Sequence, residues 1–219
     1  MATQRLIRWS SIAWLLSGLT GIISIALTPS DYAANAVLGG LWTPIHAVNT
    51  ISYMLFMFGL VGVYLAQAER AGNLGLIGFA LTFFGVLMLT VQVAVAAWIL
   101  PVIALQPNAP KTAFELLDPA GPLSAFSLVV LVAYVPAGIG LILFGIATIR
   151  AGVLPRLAAV LLMIGTVLTL GILVGAPGEL IVKVGDSVFD VGKIWIAYAL
   201  WSGIGQTAAT TLPRAIPAT

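Results

Sequence analysis

The sequence predicts an all-α integral membrane protein, a bundle of six transmembrane helices with both termini in the cytoplasm. Two observations lead there. The chain is 61% hydrophobic and only 7% charged, against about 25% charged residues in soluble domains. That is too little polarity to cover a water-soluble globule. The charges also sort by sign once six long apolar segments are marked off. Arg5, Arg8, Arg70, Arg150, Arg156 and Arg214 fall on one side with only Glu69, whereas Asp31, Lys111, Glu115, Asp118, Glu179, Lys183, Asp186, Asp190 and Lys193 fall on the other. Arginines held to one face follow the positive-inside rule, which places that face in the cytoplasm of a cell membrane, here read as a bacterial inner membrane.

Six spans of about 20 residues, each crossing a hydrocarbon core roughly 30 Å thick, use more than half of the 219 residues. The whole chain, 1–219, therefore reads as a single polytopic membrane domain. The first helix is expected from about Trp9 to Leu27, where Thr28-Pro29-Ser30-Asp31 ends it. Its apolar stretch exceeds that of a secretory signal and reads as a retained helix. Ala13, Ser17 and Gly21 repeat every fourth residue and offer a small-residue face for close packing. The second helix follows Gly39-Gly40 and runs to about Ala66, with Gln67 to Asn73 as a cytoplasmic turn.

Helix three extends from about Leu74 to Ala104 and must tilt, bend at Pro101 or project from the bilayer. Thr112 and Glu115 suggest a capped interfacial helix over Thr112 to Asp118. The fourth helix, about Leu123 to Ile149, carries Pro136, and the fifth covers about Leu157 to Gly175. Glu179 to Val191 alternates around Gly185-Asp186 and reads as an exposed hairpin before a sixth helix from Ile194 to Thr211. A weak internal repeat relates helices 2–3 to helices 4–5: Arg70-Ala71-Gly72 with Leu81 and Gly85 matches Arg150-Ala151-Gly152 with Leu161 and Gly165. Packing is expected through Gly18, Gly21, Gly85, Ala199 and Gly203.

Composition removes several chemistries. With no cysteine, disulfides, thiol catalysis, iron–sulfur clusters and thiolate metal sites are absent. One histidine cannot build a multi-imidazole metal site, and no run of basic residues marks a nucleic-acid surface. No catalytic constellation is legible. With the hairpin outside the bilayer, no carboxylate or lysine falls near the middle of a span, which argues against an ion-coupled pump.

The candidate binding residues are His46, Asn49, Tyr53, Gln92, Tyr134 and Tyr198. Trp42, His46, Asn49 and Tyr53 follow at spacings of four, three and four, so they share one helical face. Interhelical hydrogen bonds explain such polar groups equally well. His46 stands out as an ionisable side chain within a span, and its imidazole suits a tetrapyrrole. Two functions are expected. The first is a non-catalytic subunit or scaffold of a larger membrane assembly, with other membrane proteins and the lipid bilayer as partners. The alternative is binding or passive passage of a small apolar or neutral molecule, such as a lipid, quinone or pigment, in an outward-facing pocket around His46.

Overall fold

The computed structural model describes residues 2–28, 34–105, 124–171 and 179–203. The expected interfacial helix at Thr112 to Asp118 lies outside them. Among the described residues the chain is all-helical, in the order α1 (Ala2–Leu27), α2 (Ala34–Val37), α3 (Trp42–Ala94), a π turn (Val95–Ile99), α4 (Leu100–Ala104), α5 (Ser124–Ala151), α6 (Arg156–Leu170) and α7 (Glu179–Trp201). Three helical stretches are long and apolar enough to cross a membrane: Ala2–Leu27, Trp42–Ala104 and Leu131–Ala151.

The sequence predicts six separate spans, yet among the described residues the structure has five long helices. The expected second and third spans are merged into α3, because no loop separates them. Only Gly72 departs from helical geometry, at φ 57° and ψ −159°, a region open essentially to glycine alone. The stretch expected as a turn from Gln67 is helical instead. Gln67 is buried and donates Nε2–H to Thr148 Oγ1 at 2.8 Å. The two arms of α3, 42–71 and 73–94, fold back on each other, with Tyr64 stacked on Phe79 near the reversal and Trp42 against Ala96 at the far end.

The far end carries the π turn, whose registry leaves one carbonyl without a backbone donor. In π registry the carbonyl of Ala96 would accept from the residue five positions on, which is Pro101, and proline has no N–H. The Trp42 indole supplies the missing donor, Nε1–H to Ala96 O at 2.8 Å. Pro101 therefore marks a local change of helical registry whose freed carbonyl is tied to the other arm.

Neighbouring rods run antiparallel and close into a ring. The first arm of α3 lies on α1 with Gly59 against Trp14 and Gly62 against Ser10, while the second arm lies on α5 with Gly78 against Phe144 and Gly85 against Ala137. Gly138 and Gly145 of α5 meet Leu170 and Met163 of α6, Gly165 of α6 meets Phe189 of α7, and Gly18 and Gly21 of α1 meet Ile194 and Asp190 of α7. Glycine at each seam lets backbones approach as a side chain would not. Of the other expected packing residues, Ala199 is buried, and Gly203 has φ +70° with nothing among the described residues within 4 Å of where a Cβ would stand.

Both Gly72 and Gly152 have positive φ, and Gly85 and Gly165, each thirteen residues later, meet the backbone of the next rod. The two Arg-Ala-Gly segments thus do the same local work. One end of the ring gathers Arg5, Arg8, Glu69, Arg70, Arg150 and Arg156, and Arg8 lies over the Trp201 ring at 4.9 Å.

Gly72→Ala is expected to destabilise the protein by about 1–3 kcal/mol, read as a lower unfolding midpoint in detergent. Asn73→Ala, beside it in helical geometry, is expected to leave the midpoint nearly unchanged; equal losses would contradict this role for Gly72.

Candidate functional site

The segment that the sequence assigns to an exposed hairpin is helical. α7 runs unbroken from Glu179 to Trp201, so the expected start of a sixth helix at Ile194 lies within it. Lys183, Asp186, Asp190 and Lys193 are spaced three, four and three apart, which in a helix is one face. The opposite face carries Leu180, Val184, Val191, Trp195 and Tyr198, all exposed. The charged face turns inward because the apolar face is the one suited to lipid.

Two of these charges are almost completely buried: Asp190 and Lys193 are each 4% exposed. They form an ion pair, Lys193 Nζ to Asp190 Oδ1, at 2.6 Å. Lys193 also donates to Ser17 Oγ at 3.0 Å and lies 5.3 Å from the Phe56 ring and 5.1 Å from the Phe189 ring. Ser52 of α3 donates to the Ser17 carbonyl at 2.9 Å, so the ion pair is joined through α1 to α3. Gly21 is required beside it, since a Cβ there would run into the Asp190 carboxylate. The small-residue face of α1 thus receives a charged residue of α7.

One turn away, Thr169 of α6 donates Oγ1–H to Asp186 Oδ1 at 2.7 Å. Lys183 reaches the end of α1, donating to the Thr28 carbonyl at 3.2 Å. These contacts overturn the expectation that no carboxylate or lysine lies inside the bundle, and with it the objection to ion-coupled function. The spacing of the four charges was the available signal. The Gly185-Asp186 pair obscured it by resembling a hairpin turn, whereas Gly185 is buried and lets α7 pass close to Leu168 and Thr169 of α6.

Asp186, Asp190 and Lys193 open onto a cavity of about 100 Å³ in the middle of the ring, to which every rod contributes. Gly21 and Ile25 come from α1, Asn49, Ser52, Tyr53 and Phe56 from the first arm of α3, and Val86 and Leu89 from the second. Tyr134 and Leu141 are among those from α5, and Thr166 and Thr169 come from α6. The cavity lies in the half of the ring away from the arginines.

The sequence candidates divide. Asn49, Tyr53 and Tyr134 line the cavity. His46 does not: its buried ring stacks on Trp42 at 4.1 Å, and Nδ1 lies 2.9 Å from the Trp42 carbonyl. A carbonyl only accepts, so Nδ1 is the donor in this contact. Gln92 is also outside the lining, at the level of His46 by the antiparallel register that sets Trp42 against Ala96; its Oε1 is buried without a partner among the described residues. Tyr198 is 61% exposed on the outer face of α7, which corrects its expected place in the pocket. The helical phase explains this, because Tyr198 follows Val191 and Trp195 on the exposed side. Among the described residues no group of three metal-ligating side chains converges.

Compared with known protein families, curated proteins and solved structures, the chain matches none.

Removing one partner of a buried ion pair strands the other, at about 3–5 kcal/mol. Lys193→Met is therefore expected to lower detergent unfolding stability by that order, and Lys193→Met combined with Asp190→Leu to recover most of the loss. A double variant as unstable as the sum of its single variants would contradict coupling between the two residues.

Proposed function

We propose that the protein is a multi-pass protein of the cell membrane, crossing it six times with the arginine-rich end in the cytoplasm, and that it binds a small amphipathic molecule in the cavity at the centre of the ring. Each arm of α3, continued through α4 in the second case, exceeds the roughly 20 residues a span needs, so the Gly72 reversal supports two crossings within one merged helix. α7, at 23 residues, reaches about 34 Å at 1.5 Å per residue. Its charges are compatible with a span because they face the interior.

The observation that carries the binding role is the lining of the cavity. Three charged side chains of α7 face one space of about 100 Å³ together with hydroxyl groups and aromatic rings from the first arm of α3, α5, α6 and α7 itself. Concave sites with apolar walls and a few placed polar groups are the usual form of a small-molecule site. The polar pole lies at Asp186, Asp190 and Lys193, so the expected pocket around His46 is re-centred by more than a helical turn. The volume favours a head group of a few heavy atoms; a tetrapyrrole is several times too large for it. The proposed role is binding or passage without catalysis.

The scaffold reading draws on a different surface. Between α1 and α7 runs an apolar groove lined by Leu15, Ile194, Trp195, Tyr198 and Trp201, suited to a lipid chain or an apolar helix of another subunit.

Mild-detergent purification followed by mass spectrometry separates the two. The binding role predicts a small molecule retained in near-stoichiometric amount by the wild type and lost from Asn49→Phe, which fills the cavity, at unchanged folded yield. Equal retention by both proteins would contradict it, and a stoichiometric protein partner with no small molecule would favour the scaffold.

A further inference from the structure

Among the described residues the cavity's lining has more carboxyl groups than cations. Its lining holds two carboxylates, Asp186 and Asp190, and one ammonium, Lys193. Lys193 is committed: it pairs with Asp190 at 2.6 Å, donates to Ser17 and lies against Phe56 and Phe189. Asp186 accepts only the Thr169 hydroxyl, and no cation lies within ion-pair distance of it among the described residues. Lys183, the remaining cation of the same helical face, directs its ammonium to the Thr28 carbonyl and is not part of the lining. Among the described residues the other rods bring no charged group to the lining, only the titratable phenols of Tyr53 and Tyr134.

A carboxylate removed from water has an electrostatic demand that one hydroxyl does not meet, and a positive charge seated beside it meets that demand directly. The rest of the lining suits the same ligand. Tyr53, Phe56, Tyr134 and Phe189 place four aromatic rings around the space, and ring faces attract ammonium and quaternary ammonium groups with particular advantage once both are out of water. Lys193 already uses this device within the protein, lying over Phe56 and Phe189. A neutral head group could offer Asp186 a hydrogen bond but no compensating charge, and an anion would be repelled by it.

We propose that the ligand of this cavity is a lipophilic organic cation, an ammonium or quaternary ammonium group on an apolar body, held with its charge against Asp186 and its substituents among the aromatic rings. This rests on the binding role proposed above and names its substrate class. The order of contacts follows from the lining: Asp186 selects charge, the rings select an alkylated nitrogen over a hydrated metal ion, and Leu89, Leu141 and Leu170 receive the apolar body.

Equilibrium dialysis of the purified full chain in lipid nanodiscs tests it, with empty nanodiscs subtracted. The probes are benzyltrimethylammonium and its uncharged carbon isostere, neopentylbenzene, which differ by the charge alone. Wild-type protein is expected to bind the cation at least tenfold more tightly than the isostere, and Asp186→Asn to lose that preference. If the wild type binds the isostere as well as or better than the cation, the cationic class is overturned while the binding role stands. A preference retained in Asp186→Asn overturns the part given to Asp186, and binding of neither probe overturns the proposed class. The wild-type comparison decides the class even if Asp186→Asn does not fold.

Discussion

The ion pair between Lys193 and Asp190 is the constraint around which the bundle is arranged. Two charges taken out of water are tolerated only when nearly every remaining polar valence is met, and this pair recruits two other helices and a ring of its own helix to do so. Ser17 of α1 accepts a hydrogen bond from the ammonium, Ser52 of α3 holds Ser17, and the rings of Phe56 and Phe189 flank the cation. Small residues at Gly18 and Gly21 follow from the same requirement, because α7 must come close enough to α1 for the contacts to form. With the rotation of α7 set in this way, Asp186 faces the central space and meets Thr169 of α6. The position of the cavity and the stability of the helix seams are thus linked through one buried pair.

Closure of the ring depends on backbone features of a different kind. Gly72 reverses α3 in a single residue, which keeps its two arms in contact from the turn to Trp42 and Ala96. The missing N–H of Pro101 and the indole of Trp42 form a matched pair at the opposite end, one leaving a carbonyl open and the other donating to it. These two fastenings set the register of the arms, and through it the levels of the polar groups. Asn49, Ser52 and Tyr53 consequently reach the cavity while His46 sits about one turn beyond it. A single-residue shift in either fastening would rotate a different set of side chains inward.

Much of this was legible in the sequence, and the failures have a common cause. Arginine segregation gave the end to which each described arginine belongs, and the Ala13, Ser17, Gly21 spacing marked the face of α1 that another backbone approaches. The shared face of Asn49 and Tyr53 was visible from spacing alone. α7 was misread because polar residues, a glycine and an aspartate together resemble an exposed turn. Alternation with period two was chosen over the three-four-three spacing of Lys183, Asp186, Asp190 and Lys193. In a membrane protein, charge on a helix can face inward as readily as it can leave the bilayer, and local composition does not distinguish the two. Tyr198 was misplaced for a related reason, since depth along a helix says nothing about its phase around the axis. The cavity itself needs six rods brought together and has no local signature.

Because the chain has no cysteine, α7 can be scanned directly with single cysteines carrying spin labels in proteoliposomes, leaving out Asp186, Asp190 and Lys193. Collision with oxygen, which concentrates in the hydrocarbon, is expected to rise and fall with a period of about 3.6 residues, with maxima near Val184, Val191, Trp195 and Tyr198 and minima near Gly185, Gly192 and Ile196. Alternation with period two across 179–191, accompanied by free access of water-soluble relaxants, would restore the exposed hairpin and contradict an inward-facing charged helix.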